Sequence, residues 1–315
     1  MFESQIYIPS SSGWGQIHVS QWTPDQGPVR AVIQIAHGIA EYGQRYQAFA
    51  EFMTEHGFAV LANDHLGHGQ SVYPAGAATY FGESNGWWYA LEDIEAVRHI
   101  IVRSFPEVPV ILFGHSMGSF LSRSHLIHYP GAYDACILSG TGYPGAAVIW
   151  AGKLACKMQR ISKEPYACSP FLDRMAFGNY NKHFSPNRTS VDWLSLDEAN
   201  VDAYLEDPLC GRTATVGIFS DLMEGLSYIT KPGNIRKMDT SNPILLISGE
   251  QDPVGDMGRG VTKTRDQFMK AGIKDVTMQL YPRLRHEILN EACHLEIYEE
   301  ILEWIFQRFP ETASP

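Results

Sequence analysis

Cysteine is sparse in this chain. The five residues, Cys136, Cys156, Cys168, Cys210 and Cys293, are scattered, odd in number and form no CxxC pair. That argues against a disulfide framework and against a zinc site, and no metal is expected. Long apolar runs are missing too, since nothing reaches the about 18 consecutive residues of a membrane-spanning helix. The opening MFESQIYIPSSSGWG has no basic start and no apolar centre, so no secretory signal is expected. Blocks of Lys and Arg are also absent, and the net charge is −11 with a pI near 5.5. This speaks against nucleic acid and against anionic membrane surfaces as partners. The expectation is a reduced, soluble, cytoplasmic protein.

What is present is core-forming material: 44% of the 315 residues are hydrophobic, enough for one large domain or a domain with an insertion. Residues 5–9 and 16–22 alternate apolar and polar around SSSG and predict an antiparallel hairpin. Short apolar runs then alternate with helical periodicity. AVIQIA (31–36), FAVLA (58–62), PVILF (109–113), DACILS (134–139), PILLI (243–247) and VTMQLY (276–281) read as buried strands. Helices are expected near 46–55, 87–103, after 117, near 256–270 and over 288–309. Such alternation predicts a mostly parallel sheet covered on both faces. The rhythm breaks between residues 141 and 238. That stretch reads as an insertion over the carboxyl ends of the strands, leaving 1–140 and 239–315 as the core. Within it, Val148, Ala151, Leu154, Ala155 and Met158 suggest one amphipathic helix. Phe219, Leu222, Met223 and Leu226 suggest another. An aromatic stretch around Phe177, Tyr180, Phe184 and Trp193 lies between them.

The chemistry centres on Gly114-His115-Ser116-Met117-Gly118. A serine on a tight turn between strand and helix is the context of a nucleophile elbow. There the strained turn lifts the hydroxyl above the sheet, and the helix start offers the N–H of Met117 to a developing negative charge. A serine hydroxyl needs a base, and the base needs a carboxylate to hold its tautomer. In the expected chain order the acid follows the serine and the histidine comes last. Ser248-Gly249-Glu250-Gln251-Asp252-Pro253 follows one strand and Pro282-Arg283-Leu284-Arg285-His286-Glu287 the next. Strand-end position favours Asp252 over Glu250, while Asp256 looks like the N-cap of the following helix. Of the 12 histidines, His286 lies in the right loop. His115 reads as a packing residue, and His65 and His68 as structural rather than a metal pair. Gly38 lets backbone approach the substrate closely, and the N–H of Ile39 is the second candidate oxyanion donor.

HGIAEYGQRY, NDHLGHGQS, GHSMGS, SGEQDPVG and YPRLRHEILNE, between His37 and Glu291, together resemble the monoacylglycerol lipase and lysophospholipase group of α/β-hydrolases. One departure is Ser119, where many members carry a second glycine. The resemblance implies the α/β-hydrolase fold with an inserted helical cap over 141–238, including Asp207-Pro208-Leu209-Cys210-Gly211. It implies Ser116, Asp252 and His286 as the triad, Ile39 and Met117 as oxyanion donors, and no cofactor. The expected reaction is hydrolysis of carboxylic esters through an acyl-enzyme, with monoacylglycerols or similar single-chain lipid esters as substrates. Lysophospholipase, short-chain carboxylesterase, aminopeptidase and a non-catalytic ligand receptor stand as alternatives. Because Ile149 and Trp150 adjoin Val148, the first cap helix has more apolar surface than packing requires. Ile149, Trp150 and Leu154 are therefore expected to line an acyl tunnel or to touch a membrane transiently.

Overall fold

The computed structural model describes residues 1–71 and 78–312. In chain order the elements are β1 (Phe2–Pro9), β2 (Gln16–Thr23), β3 (Ala31–Ala36), α1 (Gln47–Glu55), β4 (Phe58–Asn63), α2 (Gly86–Ser104), β5 (Val110–His115), α3 (Met117–His128) and β6 (Ala135–Ser139). Then follow α4 (Ala146–Gln159), α5 (Pro170–Phe177), α6 (Glu198–Glu206), α7 (Val216–Ile229) and the short α8 (Pro232–Ile235). The chain closes with β7 (Ile244–Gly249), α9 (Arg259–Ala271), β8 (Val276–Tyr281) and α10 (His294–Arg308).

The eight strands form one sheet in the order β1-β2-β4-β3-β5-β6-β7-β8. The hairpin pairs antiparallel with β4, and every pairing from β4 to β8 is parallel. Strands β3 to β7 are buried along their whole length, which is why they read as continuous apolar runs rather than alternating ones. Their side chains still alternate between two cores. On β5, Val110 and Leu112 join Ile94 and Val97 of α2 and Leu121 of α3. Ile111 and Phe113 face Phe49 of α1 and Tyr298 and Ile301 of α10. Truncating the fully buried Phe113 to Ala would cost roughly 3–5 kcal/mol. Chain order reverses beside β3, whose neighbours are β4 and β5, and open α/β sheets bind ligands outside the strand ends at such a point.

Two local expectations need correction. Asp256 does not cap α9: it sits with Met257 at positive φ in the turn before the helix, and Gly258 is the N-cap. On α4 the packed face is Ile149, Gly152, Ala155 and Cys156, whereas Val148, Trp150, Leu154 and Met158 face solvent. Of the expected stripe only Ala155 lies on the packed face. The helix instead packs small side chains, so closely that a methyl group on Gly152 would stand 2.3 Å from the Met223 sulfur of α7. On α7, Phe219, Leu222 and Leu226 are buried as the periodicity predicts. All five cysteines are free thiols. Among the described residues, no helix is long and apolar enough to cross a membrane.

Candidate active site

Ser116 follows the last residue of β5 and precedes the first of α3, with φ 52° and ψ −119°. That is a sparsely populated backbone region for a residue with a Cβ. The turn is held on several sides. The Ser116 N–H donates to Ser139 O at 2.9 Å, and the Ser119 hydroxyl donates to Ser116 O at 2.6 Å. The helix start lies so close to β3 that a Cβ at Gly118 would fall 1.9 Å from Ala36 O, so only glycine fits there. Serine at 119, the departure noted above, thus helps to tie the turn.

The loops after β7 and β8 bring Asp252 and His286 together. Asp252 Oδ2 lies 2.9 Å from His286 Nδ1, and both side chains are buried. Asp252 Oδ1 accepts the N–H of Val254 at 2.8 Å, which fixes the carboxylate from behind. Glu250 is exposed, and Asp256 is paired with Arg259 at the surface. With Nδ1 taken by Asp252, His286 keeps Nε2 for other work. Burial alone would lower the His286 pKa, but the charge of Asp252 and its hydrogen bond, with Glu287 and Glu41 behind, push it above the ordinary 6.5. His115, the expected packing residue, lies against this ring at 4.6 Å between centroids. Burial first, and the neighbouring His286 second, hold it neutral.

Gly38 lies beside the nucleophile, where an added Cβ would stand 3.2 Å from Ser116 Cβ. Its N–H is already committed, donating to Glu41 Oε1 at 2.5 Å. The next N–H, that of Ile39, has no acceptor among the described residues, and neither has that of Met117 at the open start of α3. Two free donors thus flank Ser116 from two different loops. His37, His65 and His68 pack behind this loop with ring centroids 4.2–6.3 Å apart, and burial lowers the pKa of all three. Among the described residues, no group of three or more His, Cys, Asp and Glu is arranged to hold a metal ion.

Sequence reasoning passed over a buried charge network. Arg45 donates to Glu41 Oε2 at 2.8 Å and forks onto Glu287 at 2.8 and 2.7 Å. Tyr46 Oη donates to Glu41 Oε1 at 3.0 Å. Burial raises the pKa of Glu41, whereas Arg45 outweighs burial at Glu287 and holds that carboxyl well below its usual range. Glu41 grips the Gly38 loop and Glu287 follows His286, so one guanidinium ties both halves of the site together. The motif HGIAEYGQR contains Glu41 and Arg45, and their opposite charges four residues apart were the available signal.

The segment between β6 and β7 covers these loops. Arg285 donates to Asp192 O and Ser195 O, Glu291 accepts the N–H groups of Leu196 and Asp197, and Asn200 donates to Glu287 at 2.9 Å. These contacts bring Trp193 to 5.1 Å from His286, ring centroid to ring centroid. Phe177 and Tyr180 pack on Trp193, and Phe219 packs on Phe177. The Asp207–Gly211 element docks on the loop after β3: Gly211 N–H donates to Ala40 O at 3.0 Å and Tyr42 Oη to Asp207 at 2.7 Å. Of the residues expected to bind substrate, Ile149 is buried against the core, while Trp150 and Leu154 lie on the solvent face of α4 at 67% and 43% exposure.

A mostly parallel sheet, a serine on the sharp turn after its central strand and a buried Asp–His pair at neighbouring strand ends are the plan of an α/β-hydrolase. Within that class the chain belongs to the serine aminopeptidase S33 family, whose profile matches residues 27–292. It is 27% identical over 298 residues to a monoacylglycerol lipase of Mycolicibacterium smegmatis, covering 94% of this chain and 95% of that one. The human monoglyceride lipase is 27% identical over 305 residues, covering 93% and 88%. Among solved structures, a thermostable carboxyl esterase from Bacillus coagulans in complex with glycerol superposes with a TM-score of 0.90 at 27% identity, covering 98% and 99%. With the fold, these relatives make the chain an ester hydrolase.

Proposed function

We propose that the protein hydrolyses monoacylglycerols or similar single-chain lipid esters through an acyl-enzyme on Ser116. The observation that carries the mechanism is the strained Ser116 turn beside the buried Asp252–His286 pair. His286 Nε2 takes the hydroxyl proton while Ser116 Oγ adds to the ester carbonyl carbon. The oxyanion is received by the N–H groups of Ile39 and Met117. As the tetrahedral intermediate collapses, the ester C–O bond breaks and His286 returns the proton to the leaving alcohol. Water then attacks the acyl-enzyme, giving its proton to His286. The fatty acid leaves and Ser116 regains its hydrogen. Asp252 stays ionised, holding the imidazole and its transient charge.

Residues 141–238 act as a cap on a core made of 1–140 and 239–315. The alcohol and first acyl carbons meet the aromatic group of Trp193, Phe177, Tyr180 and Phe219. Ile149 underlies the entrance, and Trp150 and Leu154 give α4 a face for transient lipid contact. The names of the relatives and this aromatic lining support a lipid ester. An amide substrate with a free amino terminus finds less support, because Glu41 and Glu287, buried carboxylates beside the site, are both occupied by Arg45.

The test is a fluorophosphonate label combined with a substrate panel. One label at Ser116, absent with loss of turnover in Ser116→Ala, is expected; labelling that persists in that variant would move the nucleophile elsewhere. Monoacylglycerols and nitrophenyl esters of graded length, lysophospholipids and aminoacyl amides then rank the substrates. A maximum at acetyl or propionyl esters would replace the lipid reading by a short-chain esterase.

A further inference from the structure

Cations are outnumbered in this chain, 24 against 35 acidic residues, yet four of them converge on one place. A cavity of about 650 Å³ opens between α4, α7 and the first turn of α2. Lys153, Lys157 and Arg160 line it from α4 and just beyond, Lys231 from just past α7, and Ser220 and Ser227 add hydroxyls. Among the described residues none of the four cations has an ion-pair partner, so no carboxylate of the chain neutralises them in place. The lining holds one acid, Glu224, whose carboxylate accepts the Trp88 indole N–H at 2.9 Å. Four unpaired cations around a concavity repel one another and focus a positive field into it. Ammonium groups together with hydroxyls suit a phosphate. Net charge argued against anionic surfaces, but it averages over a surface on which these cations are unevenly placed.

The neighbouring face of α4 indicates where that phosphate comes from. Trp150, Leu154, Met158 and, just past the helix, Ile161 form a stripe at helical spacing, exposed by 67%, 43%, 61% and 84%. Lys153 and Lys157 lie at the edge of this stripe, between it and the packed face. An apolar stripe bordered by lysines is the pattern of a helix lying in a lipid interface, with the stripe among acyl chains and the ammonium groups at phosphate level. We propose that this cavity receives the phosphate of an anionic phospholipid and so holds the cap on negatively charged membranes. The proposal rests on the reading that α4 meets lipid, and is independent of the catalytic assignments.

The experiment is co-sedimentation of the full chain with phosphatidylcholine vesicles and with vesicles that also contain phosphatidylglycerol. Wild type should bind both, and the anionic ones more tightly at low salt. Lys153→Gln, Lys157→Gln and Lys231→Gln should each lower affinity for anionic vesicles by about fivefold, leaving phosphatidylcholine binding unchanged. Lys270→Gln, at an exposed position of α9, serves as the charge control and should change little. Equal binding of wild type to both vesicles overturns the phosphate site alone. Absence of binding to either also removes the lipid reading of α4. An equal loss in Lys270→Gln means diffuse attraction and overturns the site. Capture of inorganic phosphate that is lost in Lys153→Gln, without any vesicle preference, assigns the cavity to a soluble anion and overturns the lipid source. Hydrolysis of a soluble acetate ester should be unchanged in all four variants, and a failure of the hydrolase reading would show there in the wild type.

Discussion

Gly140→Ala tests whether the placement of His286 limits the reaction. Gly140 follows β6 with φ +59°, its N–H bonded to Ile247 O at 3.0 Å. An alanine there has two effects. The left-handed backbone costs a residue with a Cβ about 1–2 kcal/mol. The Cβ would also stand 2.8 Å from His286 Cε1, 3.0 Å from Nδ1 and 3.2 Å from His115 Cε1. Carbon atoms rest at about 3.5 Å or more, so the ring must withdraw by roughly 0.7 Å. It has little room, with Asp252 on Nδ1, His115 at 4.6 Å and Trp193 at 5.1 Å. Misplacement of a reacting group on the order of 1 Å costs about 100-fold, so kcat should fall about 10- to 100-fold, with little change in KM for a small ester. Nitrophenyl ester kinetics and the rate of fluorophosphonate labelling measure this directly. Thermal unfolding should show a Tm lowered by a few degrees. Gly233→Ala, where no atom lies within 4 Å of the added methyl and φ is not positive, is the control and should leave kcat alone. A Gly140→Ala enzyme within about twofold of wild-type kcat would refute the claim that the ring is confined.

Three further outcomes follow from the site. Asp252→Asn should lower kcat by about 10⁴-fold on the same esters, the scale on which a triad histidine fails without its carboxylate; near-normal turnover beside a dead Glu250→Gln would move the acid. Protonated His286 is no base and its pKa is raised, so kcat/KM should rise with pH through a midpoint above 6.5. A pH–rate series with a midpoint well below that value would contradict the Asp252 contact. Glu41→Ala, which removes the acceptor of the Gly38 N–H, should lower kcat about 10-fold, while Glu41→Gln, which keeps an acceptor, recovers most of it; equal losses in both would make the charge, rather than the loop geometry, responsible.

The parts legible in the sequence were those whose physics is local. Strands β3 to β7 announce themselves because burial on both faces needs unbroken apolar runs. The elbow does so because backbone crowding admits glycine alone at Gly118. Asp252 and His286 were readable because topology places every loop after a parallel strand at the same edge. Glu41, Arg45 and Glu287 were not, since a charged residue read along the chain is by default a solvated one. Only the fold closes the 242 residues between Arg45 and Glu287. The packed face of α4, Ala155 apart, escaped for a different reason: Gly152 and Cys156 gain their contacts by allowing close approach, which leaves no mark in a pattern built on large side chains.

The loop that carries His286 also grips the cover. Arg285, Glu287 and Glu291 hold residues 192–200, so the covering segment is anchored on the His286 loop itself. The covering segment is therefore not an interchangeable part. A transplant whose 192–200 backbone followed another path would leave Arg285 without its carbonyl acceptors and Glu291 without its N–H donors, and would loosen the loop beneath. On the proposed reading, new specificity would come from changing the side chains around Trp193 one at a time, or from moving the cover and the His286 loop as a single cassette.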